Sequence, residues 1–475
     1  ISKNEEASYY MNEKEQLEFE TLQELLKQFE AALAQSETIR FTEDEFESII
    51  HYYLQNNQAQ FALDASEMAL ILYPFSSEFC LTKADAHIEL GELDHAEDYL
   101  TNNFKIDKTD IDFYIILSEV HVLRNNYDKA IEICKEGLEM CRENLDELYL
   151  HLAEIYDHQG EYEDVIPNIE EAIRLNPRNE DALYLYSITM SILDKVEEKI
   201  VFLQSLINED PFNDEAWYFI AISYRELGMY EKAIEALEYI NAIDEEINVL
   251  GDMAQIFYEA GDYTKALDCL KELETEEELE SIDYQTMAKC YRELGNLHKA
   301  KVFFKEALSI DESNDDLYYE LANVYYTEGK YQAALSLINK ACDKNKELAH
   351  YLELKADILI GMNKLDEACE LYKNIILLNH STSYYICKFV YIAALRFGLE
   401  DALELINKGI EENQHPSLHY HKAVLYFIFE KEELGFKAFA TGLKFDFSSH
   451  TILFEKLPEM AENSIIIGLI SDFKN

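Results

Sequence analysis

Residues 216–240 read AWYFIAISYRELGMYEKAIEALEYI, and the YRELG at 224–228 returns at 291–295 inside YRELGNLHKAKVFFKEAL. The stretch holds the single tryptophan of the chain, Trp217, among aromatics, small residues and charges. A cleaner copy, DELYLHLAEIYDHQGEYEDVIPNIEEAIRLNPRN at 146–179, makes its order legible. There Tyr149, Ala153 and Tyr156 follow one another at spacings of four and three, which places them on one face of a helix. Gly160 falls where that helix must stop, since glycine adopts a left-handed backbone at little cost. A second helix carries Ile169 and Ala172 on one face, and Pro177 ends it because proline cannot continue a helix. The unit is a pair of antiparallel helices.

One such pair leaves an apolar face open on each side, so it is not stable alone and copies must stack. Side chains must be small where backbones approach. An arginine at Ala153 or Ala172 is expected to cost more than about 2 kcal/mol through overpacking and buried charge. Slid along the chain, the pattern recurs at starts near 43, 77, 111, 146, 180, 214, 247, 281, 315, 349, 383 and 416. The small residue of the first helix returns as Ala84, Ala153, Ala221, Ala254, Ala288, Ala322, Ala356 and Ala423. Its aromatic returns as Tyr53, Tyr156, Tyr224, Phe257, Tyr291, Tyr325 and Tyr426. The turn glycine returns as Gly91, Gly160, Gly228, Gly261, Gly295 and Gly329, and the alanine opening the second helix as Ala62, Ala96, Ala130, Ala233, Ala266, Ala300, Ala334, Ala368 and Ala402.

This period and signature resemble the tetratricopeptide repeat family, whose pattern runs tryptophan-x-x-leucine-glycine-x-x-tyrosine, then alanine, phenylalanine and proline. The resemblance covers residues 43–449 and is strongest in the units starting at 146, 214, 281 and 315. Three units depart from it: Lys199 stands where the second-helix alanine is expected, Phe397 where the turn glycine is, and Gly435 where the alanine is. The resemblance implies an all-α, right-handed superhelical solenoid of about twelve helix-turn-helix repeats, with the first helices lining the inner face. Residues 1–42 are expected to form an acidic N-terminal segment with a capping helix, 43–449 the array and 450–475 a C-terminal cap. Leu22, Leu25, Leu26, Phe29 and Leu33 form the apolar stripe of the first cap; residues 1–13 are polar and expected to be mobile. TILFEKLPEMAENSIIIGLISDFKN at 451–475 is apolar enough to close the last repeat.

Composition agrees with this architecture. The 475 residues include only 14 Gly and 6 Pro, which leaves helix almost throughout. Their 95 acidic against 40 basic residues give a formal charge of -55, spread along the length, which repels nucleic acid and anionic lipid and favours basic or neutral partners. The eight cysteines lie in amphipathic stretches without a C-x-x-C pair and read as small buried residues of a reducing, cytoplasmic compartment. No run of eighteen apolar residues predicts a membrane span. Because the chain begins at Ile1, an upstream targeting segment is left open.

Inner-face positions, away from the packing stripe, are Glu47, His51, Asp85, Glu119, Glu154 and Asp157 in the early repeats. Later they become Tyr184, Tyr218, Tyr258, Tyr319, Tyr326, Tyr391 and Phe427, with Lys289, Arg292 and Asn323 among them. An acidic stretch followed by aromatic anchors suits a protein or peptide partner with basic and apolar parts. Some members of the family grip a free carboxylate with lysines and asparagines on neighbouring first helices. Lys289 and Asn323 occupy such positions, but their basic partners are missing and no such grip is expected.

The sequence carries no glycine-rich phosphate loop, no G-x-S-x-G and no H-E-x-x-H, and no catalytic residue, cofactor or metal is expected. His415, His419 and His421 in HPSLHYHK lack a carboxylate or cysteine at ligand spacing and read as a solvated helix start. The expected function is a non-enzymatic interaction scaffold or adaptor. The alternatives are a chaperone-like holder of basic proteins, such as nascent or ribosomal chains, and a regulatory subunit of an enzyme complex.

Overall fold

The computed structural model describes residues 13–35, 39–103, 106–244, 247–276, 279–378, 382–413 and 417–474. The acidic stretch 1–12 and His415 lie outside the described residues. Among those described there is no strand. The chain divides into two compact units, Ile1–Val249 and Leu250–Asn475.

In the N-terminal unit α1 (Glu13–Gln35) precedes six pairs: α2 and α3 (Glu43–Gln55, Ala59–Leu72), α4 and α5 (Ser77–Glu89, Leu93–Asn102), α6 and α7 (Ile111–Leu123, Tyr127–Met140), α8 and α9 (Leu145–Gln159, Tyr162–Leu175), α10 and α11 (Glu180–Ile192, Val196–Glu209), and α12 and α13 (Asp214–Glu226, Tyr230–Ile243). The C-terminal unit has six more: α14 and α15 (Leu250–Glu259, Tyr263–Glu276), α16 and α17 (Ser281–Glu293, Leu297–Ile310), α18 and α19 (Asp315–Thr327, Tyr331–Lys344), α20 and α21 (Ala349–Gly361, Leu365–Leu377), α22 and α23 (Thr382–Arg396, Leu399–Asn413), and α24 and α25 (Ser417–Ile428, Glu432–Phe445). The helices α26 (Thr451–Lys456) and α27 (Ser464–Lys474) follow. Within each unit a first helix packs on its own second helix, and that second helix packs on the next first helix. Every alanine of the repeating pattern is buried, which is why the positions stay small.

Each pair turns through one left-handed residue. Gly91, Gly160, Gly228, Gly261, Gly295 and Gly329 have positive φ as expected. In the remaining units Asn57, Asn125, Asp194, Asn363 and Glu430 take the same conformation. The backbone closes alike in both kinds: Gly160 and Glu161 donate to Asp157 and Tyr156 at 2.8 and 3.0 Å, and Asn57 and Gln58 to Leu54 and Tyr53 at 3.0 and 2.8 Å. Phe397 is not a turn residue: α22 reaches Arg396, and the turn passes to Gly398, at φ 109°.

The other two departures have different outcomes. At Gly435 a Cβ would lie 2.6 Å from a ring carbon of Phe427, so the ring fills the place of the missing methyl. Lys199 is fully buried, and α10 packs on α11 much less closely than the helices of other pairs do. A lysine where backbones should meet holds the hairpin apart. Its Nζ donates to the Ser191 hydroxyl at 2.9 Å and to the Glu226 carboxylate of α12 at 3.0 Å. A cleft of about 500 Å³ lies beside the loosened pair, lined by Ile166, Pro167, Met190, Val201 and Phe202.

At the ends, Leu26 and Phe29 of α1 are buried, with Phe29 5.8 Å from the Tyr53 ring of the first pair. Leu453 of α26 and Ile466 of α27 are buried against the cluster of Tyr420, Val424 and Phe439. Ile465 and Ile467 on the other side of α27 are exposed.

Candidate functional site

First helices open on polar caps such as Ser76, Asp110, Asn179 and Asn213, and carry acids in the first turn, where the positive end of the helix dipole favours them. Stacking in register brings these acids from neighbouring repeats together. In the N-terminal unit Glu78 lies against Glu47; burial first, then the charge of Glu47 and a hydrogen bond to it, raise its pKa. Glu147 is raised by burial, then by Asp146 and Asp112. Deeper along the helices, Asp85 is pushed up to about 6 by burial and by the charges of Glu119 and Glu89. Glu154 differs, since His151 Nδ1 stands 3.4 Å from its carboxylate. Asp157 is half-buried and His51 exposed. Of the two tyrosines expected here, Tyr184 is 59 % exposed, whereas Tyr218 is half-buried with its ring 5.6 Å from Phe219.

The C-terminal unit has a different character. Arg292 forms an ion pair with Glu320 of the next first helix, and Lys289 stands 3.9 Å from the same carboxylate. Tyr319 stacks on Tyr351 at 5.2 Å, Tyr326 packs 5.9 Å from Tyr331, and Tyr258 packs 5.7 Å from Tyr263. Tyr391 bonds His421 Nδ1 at 2.8 Å and lies 5.8 Å below Lys456. Asn323 is half-buried and accepts at its carbonyl from Thr327 at 2.9 Å. Phe427 is a correction: it is buried against Gly435 and Phe436 and belongs to the core of its own pair. Residues that sequence reading passed over complete this face. Tyr384 donates to Glu353 at 2.9 Å, and Lys388 pairs with Glu353.

Comparison with known proteins accounts for the recurring pairs. The tetratricopeptide repeat family matches residues 146–179, 214–245 and 291–358. The chain carries tetratricopeptide repeats at these residues. Among solved structures it is similar to a tetratricopeptide repeat protein from Parabacteroides merdae, with 19 % identity over 52 % of this chain and 97 % of that one and a TM-score of 0.42. It is also similar to yeast Tom70, with 14 % identity over 90 % and 98 % of the two chains and a TM-score of 0.41. For the Cut9-Hcn1 hetero-tetramer of the APC/C the identity is 13 % over 91 % and 96 %, with a TM-score of 0.34. No curated protein matches the chain.

These repeats support a protein-interaction scaffold. Its lone tryptophan is structural: Trp217 Nε1 donates to the Pro211 carbonyl at 3.0 Å and the ring stacks on Tyr239 at 4.6 Å. The eight thiols are free, and burial pushes Cys134 up to about 11 and Cys290 to about 12, far from a reactive thiolate. His419 and His421 do not form a solvated helix start. His419 stacks on Phe445 at 5.2 Å, and His421 is buried. No helix among the described residues is long and apolar enough to cross a membrane.

Proposed function

We propose that this scaffold is non-enzymatic and holds a partner protein or peptide along its first-helix faces. The N-terminal unit takes basic side chains and the C-terminal unit apolar ones. The array 43–449 supplies the faces, and the segments 1–42 and 450–475 supply its ends. The observation that carries the reading is the like-charged arrangement of Glu47 with Glu78 and of Asp85 with Glu119. Burial first, then the neighbouring carboxylate, raises the pKa of Glu78 and of Asp85, and a lysine or arginine from outside relieves that repulsion. The exposed ring of Tyr184 offers an amphipathic contact on the same unit. In the C-terminal unit Glu320 already occupies Lys289 and Arg292, which argues against a grip on a free carboxylate.

A labelled peptide with lysines at one end and leucines at the other, titrated by fluorescence anisotropy, tests this. Glu47→Gln, Asp85→Asn and Glu119→Gln together are expected to weaken binding at least about tenfold with helicity unchanged. Equal affinity in the triple variant sinks the acidic half of the reading.

A further inference from the structure

We propose that His87, Glu92 and His95 form a binding site for a borderline divalent metal ion, with zinc as the best-suited species. His87 closes the last turn of α4, Glu92 is the N-cap of α5 and His95 lies in its first turn. The left-handed residue Gly91 folds the two helices back at this point, and the Glu92 amide donates to the His87 carbonyl at 2.8 Å, so the backbone fixes two of the three ligands. Glu92 Oε2 stands 2.8 Å from His87 Nδ1 and 3.5 Å from His95 Nδ1, and the three donor atoms lie within 4.8 Å of one another. Tetrahedral ligands at a Zn–N distance of about 2.0–2.1 Å are separated by about 3.3 Å, so small side-chain adjustments suffice.

Donor chemistry sets the choice of ion. Two imidazoles and one carboxylate suit zinc, copper or nickel, whereas magnesium and calcium prefer all-oxygen shells. Arg124, the cation of the following repeat, is already taken by Asp94 and Glu97. The formal charge of -55 attracts cations to the whole surface. His87 is 14 % exposed and His95 74 %, so the remaining coordination position faces water. Glu92 and His95 have the i, i+3 spacing of a helical ligand pair, and the turn at Gly91 brings His87 of the preceding helix to them.

Equilibrium dialysis of the full chain against zinc, in excess magnesium to fill unselective carboxylate sites, tests this. One zinc per chain is expected to persist, and His95→Ala, which removes an exposed side chain, is expected to weaken it at least about tenfold. Copper loaded in place of zinc is expected to show electron-spin coupling to two imidazole nitrogens, and to one in His95→Ala. Zinc held no better than magnesium, equal affinity in His87→Ala and His95→Ala, or copper without nitrogen coupling would each overturn the site.

Discussion

Glu430 holds φ at 57°, the conformation that glycine takes in the repeats with an ordinary turn. A glutamate there has neither the freedom of glycine nor the short side chain of asparagine, and the left-handed backbone costs it about 1 kcal/mol. Glu430→Gly is therefore expected to stabilise the C-terminal unit by about that amount, read as a higher urea midpoint, whereas Gly160→Ala should cost about the same. Asp85 gives a pH signature. With its pKa raised to about 6, it binds its proton more tightly folded than unfolded, so its contribution to stability is full below the ordinary carboxylate range and is lost as pH climbs through about 6. Asp85→Asn is expected to be more stable than the parent by on the order of 1 kcal/mol at pH 8, with the gap closing near about pH 4. A constant gap in urea titrations across that range would contradict the assignment. At this scale the glycine turns were legible because only glycine signals a left-handed backbone unambiguously. Asn57, Asn125, Asp194 and Asn363 were not, because the same residue types also serve as helix caps and solvated surface.

Among the elements, the pair α10 and α11 departs most from the pattern, and Lys199 is the reason. A fully buried ammonium needs every acceptor it has, and Glu226, whose side chain is 32 % exposed, supplies the only charge among its bonded partners. Removing either member is not equivalent. Glu226→Ala strands a buried cation and is expected to cost about 3 kcal/mol, while Lys199→Ala restores the small residue and leaves a carboxylate that water can reach, so it should cost clearly less. Equal losses in paired denaturation curves would refute that asymmetry. At α24 and α25, Gly435→Ala should cost about 1–3 kcal/mol by driving a methyl into the Phe427 ring, and Phe427→Leu in the same chain should recover part of it. The sequence placed Lys199 and Gly435 as exceptions, since period alone locates a position. It could not reveal how each is accommodated, because Ser191, Glu226 and Phe427 enter only through three-dimensional neighbours. The clamp of Glu320 on Arg292 was hidden for the same reason: its partners are 28 residues apart and meet only when consecutive first helices stack.

For the whole molecule, the repeats leave the first-helix faces as the repeated surface on which residues from successive pairs gather. If the acids of the N-terminal unit receive partner cations, binding and deprotonation are linked. A bound lysine favours the ionised form of Asp85, so affinity is expected to rise as pH passes upward through about 6 and to fall as salt screens exposed charge within about 10 Å at 0.1 M. The most direct test of the central claim is zero-length carbodiimide coupling of a native complex, which joins partner lysines to carboxylates they touch, followed by mass spectrometry of the linked peptides. Links to first-helix acids, Glu47, Glu119 and Glu154 among them, are the predicted result. Links confined to second-helix acids such as Glu132, Glu171 and Glu238 would contradict it.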